Sequence, residues 1–258
     1  MPVQRLTVTI ITRNEASNLA GALESVRWAD EIIVVDSEST DHTVEIAQRY
    51  TDRVIVRPWP GYAAQKNFAA AQATHEWILS IDADERVSPE LAQEIKLLLA
   101  KGPSAAGYQI PRVAFHFGRW IRSTDWYPDY QLRLYDRRRG RWAGRYVHES
   151  VAVEGVVLKL HGELHHHAYR DLAHHLQTMD RYTTLAARQM FEDGRRAHWF
   201  DLLVTPRLTF FRNYILRGGF REGMAGLVIS AMNAYYVGVK FAKLWELRMQ
   251  SDKERAAP

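Results

Sequence analysis

Trp77-Ile78-Leu79-Ser80-Ile81-Asp82-Ala83-Asp84-Glu85 is the stretch that decides the fold. Its first five residues are apolar apart from the serine, which predicts a short buried strand. Two carboxylates follow directly, separated by one small residue. An extended Asp-Ala-Asp at a strand end can direct both carboxylates toward one ligand, and such hard oxygen ligands suit Mg²⁺ or Mn²⁺ shared with substrate phosphates. The alternative is a solvated acidic turn that caps a helix beginning near Ser88-Pro89-Glu90.

Three more strands are predicted on the N-terminal side of this stretch. They lie at Leu6–Ile11, Glu31–Asp36 and Arg53–Val56, and β-branched residues dominate all three. Apolar residues at helical spacing predict helices between the strands, among them one over Gly61–Ala73. Strands that alternate with helices over about 100 residues predict an α/β fold with a mainly parallel sheet and helices on both faces.

Acidic side chains follow the ends of three of these strands. Glu15 comes after the first, Asp36 and Asp41 after the second, and Asp82 with Asp84 after the fourth. Because ligands bind at the carboxyl ends of the strands in such sheets, we expect these acids to meet at one edge. Neither a glycine-rich dinucleotide fingerprint nor a Walker-type loop is present in the sequence. The pattern therefore favours a nucleotide that is held by a metal ion and side chains.

Composition places limits on the class of protein. The 258 residues are 47% hydrophobic and 25% charged, which is typical of a globular chain with a sizeable core. There is no cysteine, which excludes disulfides and thiolate metal sites and fits a reducing compartment. The N-terminus leads into a strand with no signal-peptide pattern, so we expect a cytoplasmic protein.

Charge is distributed unevenly along the chain. Residues 1–100 carry nine Lys and Arg against fifteen Asp and Glu, a net charge of −6, whereas residues 101–258 carry 25 against fifteen, a net charge of +10. A basic second half indicates an anionic partner such as phosphates, nucleic acid or a lipid surface. A solvated basic face explains the same imbalance.

The last third of the chain is helical, aromatic and basic. A stripe of apolar residues at helical spacing runs from Asp171 to Met190, and the apolar run Met224–Val239 is too short and too polar for a confident membrane span. Arginines beside aromatic residues are typical of a segment that lies in the membrane interface, although a packed helical subdomain or a homodimer interface would look similar. We predict a catalytic domain over residues 1–168 and a helical region over residues 169–258 that associates with membrane or dimerises.

Four stretches taken together resemble glycosyltransferase family 2 and its GT-A (Rossmann-like) fold. They are Val8-Thr-Ile-Ile-Thr-Arg-Asn-Glu15, Ile33-Val-Val-Asp-Ser-Glu-Ser-Thr-Asp-His-Thr43, Gln65-Lys-Asn67 and Ile81-Asp-Ala-Asp-Glu85. The rest of the chain, from Tyr127-Pro-Asp129 through Val147-His-Glu149 to the C-terminal helices, is similar to the lipopolysaccharide-core β-glucosyltransferase-like subgroup.

The resemblance implies a role for each matching residue in binding a nucleoside-diphosphate sugar, most simply a UDP-sugar. Thr12, Glu15 and Asp36 would lie against the base and ribose, and Asp41 would stabilise their loop. Lys66 and Asn67 would approach the nucleotide or its phosphates. Asp82 would face the ribose and the metal, and Asp84 would be the main ligand of Mg²⁺ or Mn²⁺.

The resemblance also indicates residues for the catalytic base, the diphosphate site and a further metal ligand. Asp129 is the expected catalytic base that takes the proton of the acceptor hydroxyl, with Glu149 and Asp125 as competitors. Arg133 would bind the diphosphate. His148 or His166 would be an additional metal ligand, since GT-A enzymes often use a C-terminal histidine in this way.

Together these features predict an inverting, metal-dependent enzyme that transfers a single sugar. The Gln-x-x-Arg-Trp motif of polymer-extending family 2 enzymes is missing from the sequence. The expected acceptor is a lipid-linked or cell-envelope saccharide, such as lipopolysaccharide core, at the inner face of the cytoplasmic membrane. A nucleotidyltransferase and a non-catalytic membrane-surface scaffold are the alternatives, and no nucleic-acid partner is expected because the basic tract lacks the rhythm of a groove-reading helix.

Overall fold

The computed structural model describes residues 3–144 and 149–256, without the side chains of the last three. His148, a predicted metal ligand, lies outside the described residues. The chain divides into two compact units. The first unit consists of residues 1–114 and 129–168, and the second of residues 115–128 and 169–258.

Strands and helices alternate in the first half of the chain, and helices dominate the last third. In chain order the elements are β1 Leu6–Thr12, α1 Leu19–Ser25, β2 Glu31–Asp36, α2 Thr43–Gln48, β3 Val54–Val56, α3 Tyr62–Ala71, β4 Trp77–Asp82, β5 Glu85–Val87, α4 Pro89–Lys101, β6 Gly107–His116, β7 Arg119–Ile121, β8 Asp129–Asp136, β9 Gly140–Ala143, β10 Ser150–Val153, β11 Val157–Lys159, β12 Leu164–His166, α5 Leu172–Glu192, α6 Trp199–Leu203, α7 Thr205–Phe211 and α8 Met224–Ala256. A π-helical turn, Arg212–Leu216, and a 3₁₀ turn, Gly219–Glu222, join α7 to α8.

The main sheet has the order β3-β2-β1-β4-β8-β6-β12-β5. The first four strands are mutually parallel, as the β-branched runs predict. β8 is antiparallel to both β4 and β6, and β12 returns parallel to β6. The predicted α/β fold with a mainly parallel sheet is therefore confirmed, with antiparallel strands added on one side.

β1 is the central strand on which the parallel half is built. All seven of its residues are buried, because helices cover both faces of the sheet. Its pairing places Thr12 opposite Asp36 of β2 and Ile11 opposite Asp82 of β4. The carboxyl ends of the three strands thus lie side by side, and the polar residues that follow them share one edge of the sheet.

The Asp-Ala-Asp sequence does not cap the next helix. Ser88 is the N-cap of α4, and its hydroxyl accepts a hydrogen bond from the Leu91 amide at 3.1 Å. The alternative interpretation of Asp82 and Asp84 as a helix-capping turn is therefore wrong. Both carboxylates remain available for other contacts at the end of β4.

The second unit is built mainly from α5 and α8. Among the described residues, no helix combines the length and the apolar composition that crossing a membrane requires. A buried histidine pair lies inside this unit, where His116 Nε2 is 3.2 Å from His175 Nδ1. Trp126 and Tyr169 pack against both rings, and the Tyr169 ring stacks on His175 at 4.0 Å.

This histidine pair predicts acid sensitivity. Burial lowers the pKa of His175 to about 4, helped by the nearby His116 and His174, and burial also lowers the pKa of His116 although Asp171 opposes the shift. An unfolded histidine titrates near pH 6.5, so below that pH the unfolded chain binds more protons than the folded chain. The free energy of unfolding should therefore fall as the pH decreases from about 6.5 to about 4.

Urea unfolding of wild-type protein and His175→Phe across this pH range measures the effect. We expect a shallower pH dependence for the variant. The matched control is His161→Gln, which changes a histidine whose side chain is 95% exposed and should keep the wild-type slope. Equal slopes for His175→Phe and wild-type protein would assign the acid sensitivity to other groups.

Candidate active site

Asp82 lies between two cations at the end of β4. Lys66 Nζ from α3 is 2.8 Å from Oδ1, and Arg133 Nη2 from β8 is 2.6 Å from Oδ2. Both cationic side chains are buried. Burial alone would raise the pKa of Asp82, but the charges of Arg133 and Lys66 outweigh it and hold the pKa far below its usual range. The two ion pairs therefore favour the ionised form of Asp82.

Asp82 is one member of a longer row of alternating charges. Arg133 also contacts Glu85 Oε1 at 2.7 Å, and Arg112 Nη1 contacts the same oxygen at 3.1 Å. Arg112 then donates through Nε and Nη2 to Asp129 Oδ2, at 2.9 and 2.6 Å. We call the six residues Lys66, Asp82, Arg133, Glu85, Arg112 and Asp129 the charge row. The charge row joins the predicted metal-binding strand to the predicted catalytic base.

Asp84 has a different partner. Its Oδ2 is 3.2 Å from His166 Nε2, and the Asp84 carbonyl accepts a hydrogen bond from the His167 amide at 2.8 Å. The antiparallel pairing of β12 with β5 places His166 opposite Glu85, the neighbour of Asp84. Burial would raise the pKa of Asp84, yet the charge and hydrogen bond of His166 lower it despite the nearby Asp82.

Lys66 is enclosed by aromatic and acidic groups. Its Nζ lies 4.2 Å from the centre of the Trp142 ring and 4.0 Å from Glu149 Oε1. The other oxygen of Glu149 is buried and has no hydrogen-bond partner among the described residues, and the same is true of Arg133 Nε. Unsatisfied buried polar atoms are uncommon in proteins, so their occurrence beside Asp82 is consistent with a ligand site.

The loops after β1 and β2 are tied to each other. Asp36 accepts hydrogen bonds from the Ser39 amide and hydroxyl, and Ser39 in turn accepts one from the Asn14 amide. A second link between the same two segments is the Glu15 amide, which donates to Thr43 Oγ1 at 2.8 Å. Asn14 has a φ of +56°, a left-handed conformation that is strained for most residues but that asparagine tolerates.

Four other predicted site residues have the following positions. Asp41 accepts from the Thr43 amide and hydroxyl, as expected for a residue that stabilises this loop. Thr12 is buried, and its hydroxyl has no partner in the described part of the chain. Asn67 forms two hydrogen bonds with the backbone of Trp142. Asp125, a competing base, lies in the second unit and accepts from Asn213.

Sequence reasoning did not assign roles to Glu85 and Arg112. Glu85 is fully buried, and it also accepts a hydrogen bond from the Asp82 amide at 2.9 Å, which fixes the turn between the two aspartates. Because Glu85 directly follows Asp-x-Asp at a strand end, the sequence could have indicated that it belongs to the site. Arg112 has no comparable motif beside it in the sequence. It lies within β6, 23 residues after the first residue of α4, Pro89.

The donor set fits a divalent cation that arrives with its ligand. In the described ranges, 3–144 and 149–256, no group of three or more His, Asp and Glu forms a preformed metal site. Asp84 and His166 nevertheless offer one carboxylate and one imidazole. Mg²⁺ usually takes one or two carboxylates from the protein and shares the rest of its shell with phosphates and water. Asp84 is better placed for this than Asp82, because cations hold both oxygens of Asp82.

Comparison with known proteins assigns the chain to a family. The model of the family described as "Glycosyl transferase family 2" matches residues 7–153, more than half of the chain. The chain belongs to glycosyl transferase family 2. The predicted resemblance is thereby confirmed, and the charge row, Asp84 and Glu149 all lie within the matched residues. His166 lies beyond them.

Relatives match nearly the whole length of this family 2 enzyme. The lipopolysaccharide core biosynthesis glycosyltransferase LpsC of Rhizobium meliloti (strain 1021) is 33% identical over 95% of this chain and 94% of its own. An uncharacterised glycosyltransferase of Rickettsia felis (strain ATCC VR-1525 / URRWXCal2) is 32% identical over 96% of this chain and 92% of its own.

A solved structure shares the fold. The mannosyltransferase PcManGT of Pyrobaculum calidifontis, in complex with GDP-Man and Mn²⁺, aligns with a TM-score of 0.56 over 95% of this chain and 88% of its own, at 15% identity. The likeness extends through the helical region as well as the sheet. The predicted GT-A fold is thus confirmed.

The charge row also predicts the stability of this family 2 glycosyltransferase. In Glu85→Gln, the buried Arg133 and the partly buried Arg112 lose the carboxylate that they share. Removing one partner of a buried ion pair costs roughly 3–5 kcal/mol, and we expect a loss of this size in the free energy of unfolding.

Chemical denaturation of wild-type protein and Glu85→Gln measures this loss. The control is Glu76→Gln, whose side chain is 48% exposed and pairs with the 58% exposed Arg138. In the control, the free energy of unfolding should fall by less than about 1 kcal/mol. A Glu85→Gln protein as stable as the control would show that the charge row contributes no net stability.

Proposed function

We propose that the enzyme transfers one sugar, with inversion, from a nucleoside-diphosphate sugar to a lipid-linked or cell-envelope saccharide such as lipopolysaccharide core. A UDP-sugar is the proposed donor, and the inner face of the cytoplasmic membrane is the proposed location. The observation that carries the proposal is the convergence of Asp82, Asp84, Lys66 and Arg133 at one sheet edge in a family 2 chain. The relationship to LpsC, matched over nearly its whole length, supports the choice of acceptor.

The charge balance of the site supports a metal requirement. The charge row contains three cations and three anions, so it is neutral as a whole. Glu149 and Asp84 add two negative charges beside it. A diphosphate would meet a net negative site, which opposes its binding. We propose that Asp84, with His166 and to a lesser degree Asp82, holds a Mg²⁺ or Mn²⁺ ion that neutralises the diphosphate as it leaves.

The proposed sugar transfer is a single displacement. Asp129 accepts the proton of the acceptor hydroxyl, and the hydroxyl oxygen forms a bond to the anomeric carbon on the face opposite the diphosphate. The bond between the anomeric carbon and the diphosphate oxygen breaks, and its electron pair leaves with the nucleoside diphosphate. Arg112, which donates twice to Oδ2 of Asp129, and Gln131, which donates to Oδ1 at 2.6 Å, would hold the base in place.

Nucleotide recognition is assigned to the loops after β1 and β2 and to α3. We propose that Thr12, Glu15 and Asp36 contact the base and ribose, and that Lys66 and Asn67 approach the phosphates. The buried, unpartnered hydroxyl of Thr12 supports this assignment, since a ligand would supply its missing hydrogen bond. We also propose that Arg133 binds the diphosphate, and its buried Nε, which has no partner among the described residues, supports this role.

Calorimetric titration of UDP, GDP and ADP, each with and without Mn²⁺, tests the donor and the metal together. We expect one nucleotide to bind wild-type protein in a metal-dependent manner and to bind Asp84→Ala about tenfold or more weakly, because the main ligand of the ion is lost. The control is Glu90→Ala, which removes an exposed acid from α4. Failure of every nucleotide to bind would favour the non-catalytic scaffold.

Replacement of the proposed base tests the mechanism. In Asp129→Asn the side chain keeps its shape but no longer takes a proton, so we expect kcat to fall by about 10²–10⁴-fold while nucleotide affinity is retained. Glu149→Gln and Asp125→Asn are the comparison variants. Near-native turnover by Asp129→Asn, with a large loss in Glu149→Gln, would transfer the role of base to Glu149.

A further inference from the structure

Large apolar side chains are exposed on one segment of the second unit. Six that are more than half exposed lie between residues 199 and 224, whereas the rest of the described chain has only four. We call these six the apolar face: Trp199, Leu203, Leu208, Phe211, Leu216 and Met224, with exposed fractions of 52–74%. Such a concentration of exposed apolar surface marks an interaction site.

A groove lies in the same unit, between the α6–α7 region and α8. Its volume is about 450 Å³, within the range of ligand sites, and its lining includes Leu202, Pro206, Phe210 and Val239. Arg207 is the charged residue in the lining. An apolar groove with one guanidinium suits a ligand that has a hydrocarbon chain and an anionic group.

Positive charge accompanies the apolar face. Residues 199–224 contain four arginines and two acids. One of the acids, Glu222, is 3.5 Å from Arg119 and is thereby neutralised. Two of the arginines, Arg212 and Arg217, share Asp125 as their partner. Arg207 and Arg221 have no ion pair with an acidic side chain in the described part of the chain, so both charges remain available to a partner. The complement of this surface is apolar and anionic.

A second copy of the chain is a poor complement. A two-fold contact buries the same patch of both subunits, so it would bury Arg207 and Arg221 of both copies. Short helices with aromatic, leucine and arginine side chains are instead typical of segments that lie in the headgroup region of a bilayer.

We propose that the apolar face docks on an anionic phospholipid bilayer, with an acyl chain in the groove and Arg207 contacting the lipid phosphate. The proposal deepens the proposed function, because it names the surface and the lipid chemistry by which the enzyme would reach a membrane-linked acceptor. All of its residues lie in the second unit. It can therefore fail while the assignment of donor, metal and base stands.

Flotation of the full chain with vesicles tests the proposal. We expect wild-type protein to bind vesicles of phosphatidylcholine with phosphatidylglycerol, to bind phosphatidylcholine alone more weakly, and to lose affinity at high salt. In the double variant Leu208→Asp/Phe211→Asp, affinity should fall about a hundredfold, since two apolar contacts are lost and two negative charges are gained. In Arg207→Gln, the affinity for anionic vesicles should fall about fivefold, and the affinity for phosphatidylcholine vesicles should not change.

Matched controls separate the surface from general changes in charge and hydrophobicity. Leu97→Asp changes a 49% exposed leucine of α4, and Arg49→Gln removes an exposed charge, both in the first unit. Both should bind vesicles as wild-type protein does. Circular dichroism and nucleotide titration report the folding of each variant, and Leu216→Asp, at a 70% exposed position, replaces the double variant if that protein does not fold.

Three results would overturn the proposal. The first is wild-type protein that binds neither kind of vesicle, and the second is a folded double variant that binds as well as wild-type protein. The third is a double variant that changes from dimer to monomer in light scattering while its vesicle binding is unchanged, which would assign the apolar face to a second copy. If wild-type protein bound vesicles but no nucleotide, the proposed function would be contradicted and the docking proposal would stand.

Discussion

The contact of Asp82 with Lys66 and Arg133 is the interaction on which the rest of the site depends. Each partner comes from a different element: α3, β4 and β8. Burying two cations is costly unless anions meet them, and Asp82 and Glu85 do so at distances of 2.6–2.8 Å. These buried charges lie at the sheet edge where the parallel strands end together. Ion pairs to two other elements thus hold the end of β4 in place.

The two aspartates at this strand end have different partners. Asp82 contacts two cations of the protein, while Asp84 faces a histidine, a side chain that can also bind a metal ion. In the proposed mechanism the ion pairs of Asp82 also reach the base, because Glu85 and Arg112 continue the charge row to Asp129. The leaving-group site and the base would then be held by one continuous set of ion pairs, which favours a preorganised active site.

Much of this was predictable from the sequence, and the limits have physical causes. β1, β2 and β4 could be placed because buried parallel strands are apolar runs that end in polar residues, as Ile81-Asp82 does. Their common edge followed from topology alone. The ion partners of Asp82 could not be found in this way, since Arg133 comes from an antiparallel strand 51 residues later, and no local pattern encodes that pairing. The role of Asn67 in holding the Trp142 backbone was hidden for the same reason.

β12 belongs to the main sheet but lies outside the residues that the family model matches. The matched residues stop at 153, whereas β12 begins at Leu164 and inserts between β6 and β5. A fragment cut at the family boundary would leave two strand edges open and Asp84 without its imidazole. Unpaired edges invite association with other chains. The contacts that complete the sheet and position Asp84 therefore extend beyond the family signature, at least as far as His167.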